Sequence, residues 1–285
     1  GSGLVGSEMC IRDRSKGVMN NMKIICSKSN LLYGVNIVSK AVPTRTTMAI
    51  LECILIDASA GEIKLTANDM ELGIETTIDG IIDSRGIIAL NAKIFSEIVR
   101  KLPDNDVVIE TESDNQAIIT CEKAKFNIAA QSGDDFSYLP AIEREDFITI
   151  SEFTLKEVVR QTIFSIADND TNKMMTGELF EIDNDVLRVV SLDGHRISIR
   201  KIELKDAYQP RKVIVPGKTL QEISKIIGGE ADAEVEISFT KNHIVFEFDR
   251  TLVVSRLIDG EYFRIDQMLS SDCLLYTSDA ADDRI

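Results

Sequence analysis

Two short stretches of the 285-residue chain have spacings that could bind a nucleotide or a metal ion. The glycines of residues 1–6 follow the G-x-G-x-x-G spacing of a dinucleotide loop, but no predicted strand precedes them, so the spacing alone does not indicate a nucleotide site. Residues 168–179 (DNDTNKMMTGEL) have the carboxylate spacing of a calcium loop. Lys173 stands where that loop needs glycine and Leu179 where it needs glutamate, so calcium geometry cannot form. Neither stretch predicts a site, and we expect no metal or cofactor.

The pair His195 and Asp193 could act as a general base with its orienting carboxylate. No serine or cysteine occupies a nucleophile motif, and the other histidine, His243, falls on a different predicted strand. We therefore expect that the protein is not an enzyme. Asp193–Gly194 is more typical of a turn, whose role could also be purely structural.

Composition favours a cytoplasmic globular protein. The chain is 44% hydrophobic without an apolar run long enough to span a membrane. No two cysteines are spaced as a C-x-x-C pair, which disfavours a zinc site or a disulfide framework; they are Cys10, Cys26, Cys53, Cys121 and Cys273. The net charge of −15 argues against nucleic-acid binding unless positive charge is concentrated in one place.

An internal repeat provides the elements on which these residues must lie. A helical pattern followed by three strand patterns occurs four times, twice in each repeat, with a leading strand before each helix. The two copies keep nearly constant offsets of 124, 124, 125 and 126 residues at four pairs of landmarks: Leu31 and Leu155, Asp69 and Asp193, Leu90 and Val215, Phe126 and Leu252. The pattern predicts an α+β fold of two tandem repeats, each with two helices on one face of antiparallel sheets.

The repeat also predicts domain boundaries. We expect a first domain at residues 22–143, a second at 144–268, and the start of a linker to a third domain within 269–285. Residues 1–21 and the end of the tail resemble translated adapter sequence. We therefore expect a non-native leader before Met22 or Met19, and a non-native end to the tail.

Positive charge is concentrated in the predicted helices at 31–41, 92–102, 154–167 and 217–228. Together they carry a net charge of +5, whereas the whole chain carries −15. If all four helices lie on one side of the sheets, that side is a basic surface on an acidic body, suited to a polyanion held without sequence readout. Lysine and arginine are also common on the solvent face of amphipathic helices, which is the simpler explanation. Few aromatic residues lie nearby, so duplex DNA is a better ligand than single strands.

Six motifs resemble one family in order and spacing. They are AVPTRTTMAILECILIDA (41–58), TANDMELGIE (66–75), FSIADNDTNKMMTGELFEI (164–182), SLDGHRISI (191–199), VIVPGKTLQEISKII (213–227) and SRLIDGEYFRID (255–266). This set resembles the beta subunit of bacterial DNA polymerase III, the sliding clamp, over residues 22–272. The resemblance implies the DNA-clamp fold and a processivity factor for the replicative polymerase. It also implies a three-domain protomer that closes head to tail with a second copy into a ring around DNA.

Two sets of site residues are implied by the resemblance. The residues expected to face DNA are Arg45, Lys93, Arg100, Asn169, Lys173 and Lys218. The residues expected to line a hydrophobic cleft for peptides of the polymerase, the clamp loader and repair proteins are Met175, Leu192, Gly194, His195, Arg196, Ile197, Phe263 and Met268. The sequence departs from the family at Lys173–Met174, where tyrosines occur, and at Phe263, where proline is common. A different class of function is a peptide-binding scaffold that never encircles DNA, which helices on opposite faces would favour.

Overall fold

The computed structural model describes residues 21–112, 116–140, 142, 147–168 and 172–269. Most of the expected leader and the tail from residue 270 lie outside the described residues, as do Met19, Cys10, Cys273 and Asn169. No helix of the described residues is long and apolar enough to cross a membrane.

The first repeat contains one leading strand, two helices and further antiparallel strands. Its elements are β1 (Lys23–Ser27), α1 (Lys28–Val38), β2 (Cys53–Asp57), β3 (Ile63–Asn68), β4 (Leu72–Ile78), β5 (Ile81–Ser84), β6 (Ile87–Asn91), α2 (Ala92–Lys101), β7 (Asp106–Glu112), β8 (Gln116–Cys121) and β9 (Ala124–Ser132). Two details of the sequence interpretation were wrong. Ala49–Glu52, expected within a strand, forms a 3₁₀ turn, and the short edge strand β5 was missed.

The second repeat follows the same plan with fewer and longer strands and one additional short helix, α5. Its elements are β10 (Phe147–Ser151), α3 (Glu152–Thr162), β11 (Gly177–Leu192), β12 (Ile197–Pro216), α4 (Gly217–Ile226), β13 (Glu234–Phe239), β14 (His243–Phe248), β15 (Thr251–Arg256) and α5 (Ile265–Met268). The strands β11 and β12 form one long antiparallel pair, irregular around Asn184. They correspond to the separate strands β2 to β6 of the first repeat.

Local geometry confirms the repeat. Each first helix begins after a serine whose hydroxyl accepts a backbone N–H, Ser27 for α1 and Ser151 for α3, 124 residues apart. The helix α4 begins 125 residues after α2. The last hairpins turn at Glu122 and Asp249, both with positive φ and 127 residues apart, one more than the sequence offset of 126.

The helices cover one face of the sheets because their apolar stripes are buried there. The α1 side chains Leu31 and Val35 are fully buried, and α1 contacts β3 and β4. Gly34 permits this approach, since a Cβ there would lie 2.6 Å from Ile78 Cγ2. Within each repeat the two helices contact each other, α1 with α2 and α3 with α4. Every strand pairing with a described register is antiparallel, as predicted.

The described chain divides into two compact units that do not coincide with the two repeats. The first unit runs to Phe147 and includes Val235–Thr240 and Val245–Ser255; the second contains Ile148–Glu234, Lys241–Ile244 and the chain from Arg256 onwards. Strands of the second repeat fall in the first unit because β15 pairs with β4, from Thr251 opposite Thr76 to Ser255 opposite Leu72. The pairing is reinforced by the buried hydroxyls of Thr76 and Thr251, 2.9 Å apart.

Candidate functional site

The predicted DNA-facing cations that can be placed are all exposed. Lys93 and Arg100 lie on α2, two helical turns apart and therefore on the same side of it. Arg45 lies in the loop after α1. In the second unit, Lys173 and Lys218 lie on neighbouring segments, because a Cβ on Gly217 would be 2.9 Å from the Thr176 carbonyl oxygen. The structure thus places Lys93 and Arg100 on one side of α2, and Lys173 and Lys218 on neighbouring segments.

Other helix cations that entered the charge count are held by the protein itself. The Lys156 ammonium donates hydrogen bonds to the carbonyl oxygens of Ile227 and Gly228, at 3.1 and 3.3 Å, and so caps the C-terminal end of α4. Arg160 pairs with Glu157 and Lys225 with Glu222, each at 2.7 Å. Fewer helix cations are therefore available to an external ligand than the charge count over whole helices implied.

Four of the predicted cleft residues meet in one apolar cluster of the second unit. Buried Leu192 packs with the half-buried Met175, Ile197 and Phe263. Sequence reasoning missed five further members of this cluster, which are Leu179, Val190, Ile199, Tyr262 and Ile265. The alternating apolar residues of β11 are the signal that could have found Leu179 and Val190. Three distant stretches of the chain thus build one apolar surface.

Gly194, His195 and Arg196 form an exposed turn between β11 and β12 beside this cluster. Asp193 Oδ1 accepts hydrogen bonds from the backbone N–H of His195 and Arg196, at 3.0 and 3.1 Å. These bonds and the Arg196 side chain hold the pKa of the Asp193 carboxyl below its usual value, with the His195 N–H as the largest cause. The turn expected at Asp193 is present, and the aspartate builds it.

The first repeat contains the same turn. Asp69 Oδ1 accepts from the backbone N–H of Glu71 and Leu72, and Met70 has the positive φ that Gly194 has in the second repeat. Since Asp69 has no histidine beside it, the repeated geometry supports a structural role for both aspartates. Among the described residues no group of three or more His, Cys, Asp or Glu side chains is placed to hold a metal ion.

Met268, the last predicted cleft residue, lies on α5 and is 52% exposed, outside the apolar cluster. Its helix is attached to the sheet by neighbouring residues. Ile265 is buried in the cluster, and the Asp266 carboxylate forms an ion pair with Arg188 on β11, with 2.9 Å between Oδ1 and Nη2. Hence α5 holds Met268 at the edge of the apolar surface.

A cavity of about 710 Å³ borders the same cluster at Leu179, Tyr262, Phe263 and Ile265. Of the predicted cleft residues only Phe263 lines it. The remainder of its wall is largely charged, with Arg188, Lys212 and Glu181 among its lining residues. It is therefore a polar neighbour of the predicted cleft, with a different lining.

Sequence comparisons match both repeats to the same family. The model of the DNA polymerase III beta subunit N-terminal domain matches residues 22–140, and that of the central domain matches residues 149–263. A crystal structure of a DNA polymerase III beta subunit from Eubacterium rectale is 76% identical, with a TM-score of 0.87 over 88% of this chain and 69% of that chain. The chain belongs to the bacterial DNA polymerase III beta subunit family, the beta sliding clamps. The predicted clamp fold is thereby confirmed.

Other clamps agree at lower identity. The sliding clamp from Bacillus subtilis is 34% identical, with a TM-score of 0.85 over 88% of this chain and 68% of that chain. The beta sliding clamp of Staphylococcus epidermidis is 32% identical over 85% of this chain. The chain spans 66% of the length of that curated relative.

The two clamp repeats differ at the position of the apolar surface. In the first repeat Gly73 takes the place of Ile197, and a Cβ there would lie 2.0 Å from Leu139 Cδ2. Asn68 takes the place of Leu192, and its amide donates to the Ser137 carbonyl oxygen at 3.2 Å. The first repeat therefore covers this position with its own chain.

The clamp contains a buried acid, Glu178, next to Leu179 of the apolar cluster. Glu178 is fully buried; Thr162 donates a 3.0 Å hydrogen bond to its Oε2, while its Oε1 has no partner among the described residues. Burial raises the pKa of Glu178 to about 8, against a smaller lowering by Thr162. Burial, together with the nearby charge of Glu178, also raises the pKa of Tyr262. The equivalent position in the first repeat is Ile54, buried and apolar.

Because the pKa of Glu178 is raised, we expect the free energy of unfolding to fall as the pH rises. The folded state binds the Glu178 proton more tightly than the unfolded chain, so its contribution is complete below about pH 4.5 and is lost as the pH rises through about 8. We expect Glu178→Gln to be more stable than the parent at pH 9, on the order of a few kcal/mol, and to show a flatter dependence of unfolding free energy on pH. Urea unfolding between pH 6 and pH 9 measures this.

The matched control is Glu181→Gln on the same strand, where the carboxylate is paired with Arg188 and Lys212. This control should keep the parental decline in stability between pH 6 and 9. A Glu178→Gln protein with the parental decline would show that Glu178 does not carry the raised pKa.

Proposed function

We propose that the protein is a sliding clamp that encircles duplex DNA and holds the replicative polymerase and other proteins on it. The observation that carries this proposal is the head-to-tail pairing of β15 in the second repeat with β4 in the first. A joint of this kind uses two different surfaces, so it can be repeated and can close into a ring.

The two complementary surfaces are available again at other positions. The strand β9 corresponds to β15, and among the described strands Ala124–Ile128 is paired only on its β8 edge. The start of β12 corresponds to β4, and within the described residues Ile197–Glu203 is paired only with β11. Further repeats of the same design could therefore join at both edges. This supports a head-to-tail homodimer of full-length chains.

Topology explains how an acidic protein can stay on DNA. A closed ring cannot leave a circular duplex without opening, so a few mobile contacts to phosphates are sufficient. Exposed cations on α2 and α4 supply such contacts without reading the sequence. The acidic remainder of the molecule disfavours binding of DNA to the outside.

The apolar cluster around Leu192 supports the second half of the proposal. Half-buried Met175, Ile197 and Phe263 offer a surface that an apolar peptide anchor can cover. A methionine-containing surface adapts to different anchors, which suits the polymerase catalytic subunit, the clamp loader and repair proteins. The protein acts without catalysis in this proposal. Its place is the cytoplasm, at the nucleoid.

The test compares circular and linear DNA. Full-length protein loaded by its clamp loader onto nicked circular duplex should be retained during gel filtration at 0.15 M salt, and cutting the circle once should release most of it within minutes. Equal retention on both forms would contradict encirclement and favour a scaffold that binds without enclosing DNA. The control is DNA blocked at both ends by bound protein, which should restore retention on the linear form.

A further inference from the structure

The Arg196 side chain on the rim of the proposed cleft is fixed on one edge. Its Nε donates a 2.8 Å hydrogen bond to Asp193 Oδ2, and Asp193 is itself held by the turn. Among the described residues the terminal nitrogens of Arg196 have no hydrogen-bond partner, and the side chain is 56% exposed. A guanidinium held in this way has donors left for an acceptor from outside.

Phe164 fixes the same guanidinium from another side. Its ring centroid lies 5.8 Å from Arg196 Cζ, within the range of a cation–π contact. Phe164 is nevertheless 56% exposed, so its ring contributes little to the core. An exposed phenylalanine stacked on a rim arginine therefore needs an explanation other than packing.

The segment that carries Phe164 is anchored to the cleft. The 3₁₀ turn Ile163–Ser165 follows α3, and the Ser165 hydroxyl lies 2.6 Å from that of Ser198 on β12. Two residues further on, the Ala167 N–H donates to the Met175 carbonyl oxygen at 2.8 Å. The segment that carries Phe164 is thus attached to Met175 and to β12, the strand that follows Arg196.

We propose that Phe164 is a positioning residue of the peptide cleft, which holds Arg196 so that its terminal nitrogens bind a carboxylate beside the apolar anchor of a docked peptide. This inference rests on the proposed peptide-binding function. Arginine suits a carboxylate because its planar fork can donate two parallel hydrogen bonds. The carboxylate is supplied by an acidic side chain or by the peptide's C-terminus.

The probes are fluorescein-labelled hexapeptides ending in Asp-Leu-Phe or Asn-Leu-Phe, each with a free or an amidated C-terminus. Fluorescence anisotropy on the full-length protein gives the Kd of each. The parent should prefer a carboxylate to its amide by about fivefold, as expected for an exposed charge-assisted hydrogen bond. Loss of affinity in the Asp-to-Asn pair identifies a side-chain acid; loss on amidation identifies the C-terminus.

Phe164→Leu keeps an apolar side chain but removes the ring. It should abolish the preference, so that the carboxylate and amide peptides bind with about equal Kd. Phe164→Tyr should retain the preference. The matched control is Phe153→Leu, which changes a phenylalanine on α3 that is 54% exposed and should leave the preference unaltered. In a double-mutant cycle, Phe164→Leu should have no further effect on the preference once Arg196→Gln is present.

The outcomes separate this inference from the proposed function. If the parent binds no peptide, both fail. If it binds all four peptides equally, or if Phe164→Leu keeps the parental preference, the role of Phe164 is overturned while the cleft stands.

Discussion

The direct affinity for duplex DNA that we propose is expected to be largely lost when four exposed cations are replaced together by alanine, while a closed ring should still be retained on circular DNA. They are Arg45, Lys93, Arg100 and Lys218. Each phosphate contact contributes about 0.9 to the slope of log affinity against log salt concentration, so the slope should fall by about 3 to 4 for each full-length protomer, or by about 7 for the proposed homodimer. Affinity for duplex DNA measured between 50 and 200 mM salt gives this slope directly, and processive synthesis should shorten in parallel.

The control replaces three other helix cations. Lys156 caps α4, and Arg160 and Lys225 are paired with glutamates on their own helices. Replacing these three by alanine removes a comparable charge, but it should change the salt slope by less than about 1. Equal slopes for the two variants would mean that only net charge matters. An unchanged slope in the fourfold variant would remove the proposed role of these cations.

The internal repeat made most of the fold predictable from the sequence. A helix with one apolar stripe must bury that stripe, and Leu31 and Leu155 lie 124 residues apart in equivalent helices. The turn at Asp193 was predictable from the Asp193–Gly194 pair itself, which is typical of turns, and the structure shows that Asp69 builds the equivalent turn in the first repeat. Patterns that depend on neighbours along the chain could therefore be recognised.

Features that depend on distant contacts could not be recognised. Lys156 looks like a solvent-facing helix cation in the sequence, yet its ammonium reaches the carbonyl groups of Ile227 and Gly228, more than 70 residues away. Glu178 looks like an ordinary strand acid, although it is fully buried under the apolar surface. In both cases the tertiary structure decides whether the charge faces water.

The candidate cleft shows the same limit. Motif resemblance indicated the Met175 and Ile197 segments, and the structure places both in one cluster. The motif resemblance gave no indication that Leu139 covers the equivalent position, Gly73, in the first repeat. Since only the second repeat has an isoleucine there, the proposed peptide site is limited to one of two similar repeats.

Peptide binding is expected to weaken by about 10- to 30-fold when Phe263 is replaced by alanine, the range expected for a hot-spot aromatic. Phe263 is half-buried in the apolar cluster, and its ring packs edge to face on Tyr262 with centroids 5.7 Å apart. The Tyr262 hydroxyl reaches the carbonyl oxygens of Gly177 and Val190, at 3.5 and 3.4 Å. This anchoring should keep the backbone in place when the Phe263 ring is removed. The loss of peptide affinity then measures the contact that the ring makes with the peptide.

Fluorescence anisotropy with an apolar hexapeptide measures the change, and thermal unfolding checks that the variant remains folded. The matched control is Met70→Ala, at the position of the first repeat that corresponds to Gly194 in the cleft turn and is 57% exposed. It removes exposed apolar surface from a turn whose neighbourhood is already covered by Leu139, so the Kd should stay within about twofold of the parent. A folded Phe263→Ala protein with parental affinity would place the peptide site away from this cluster.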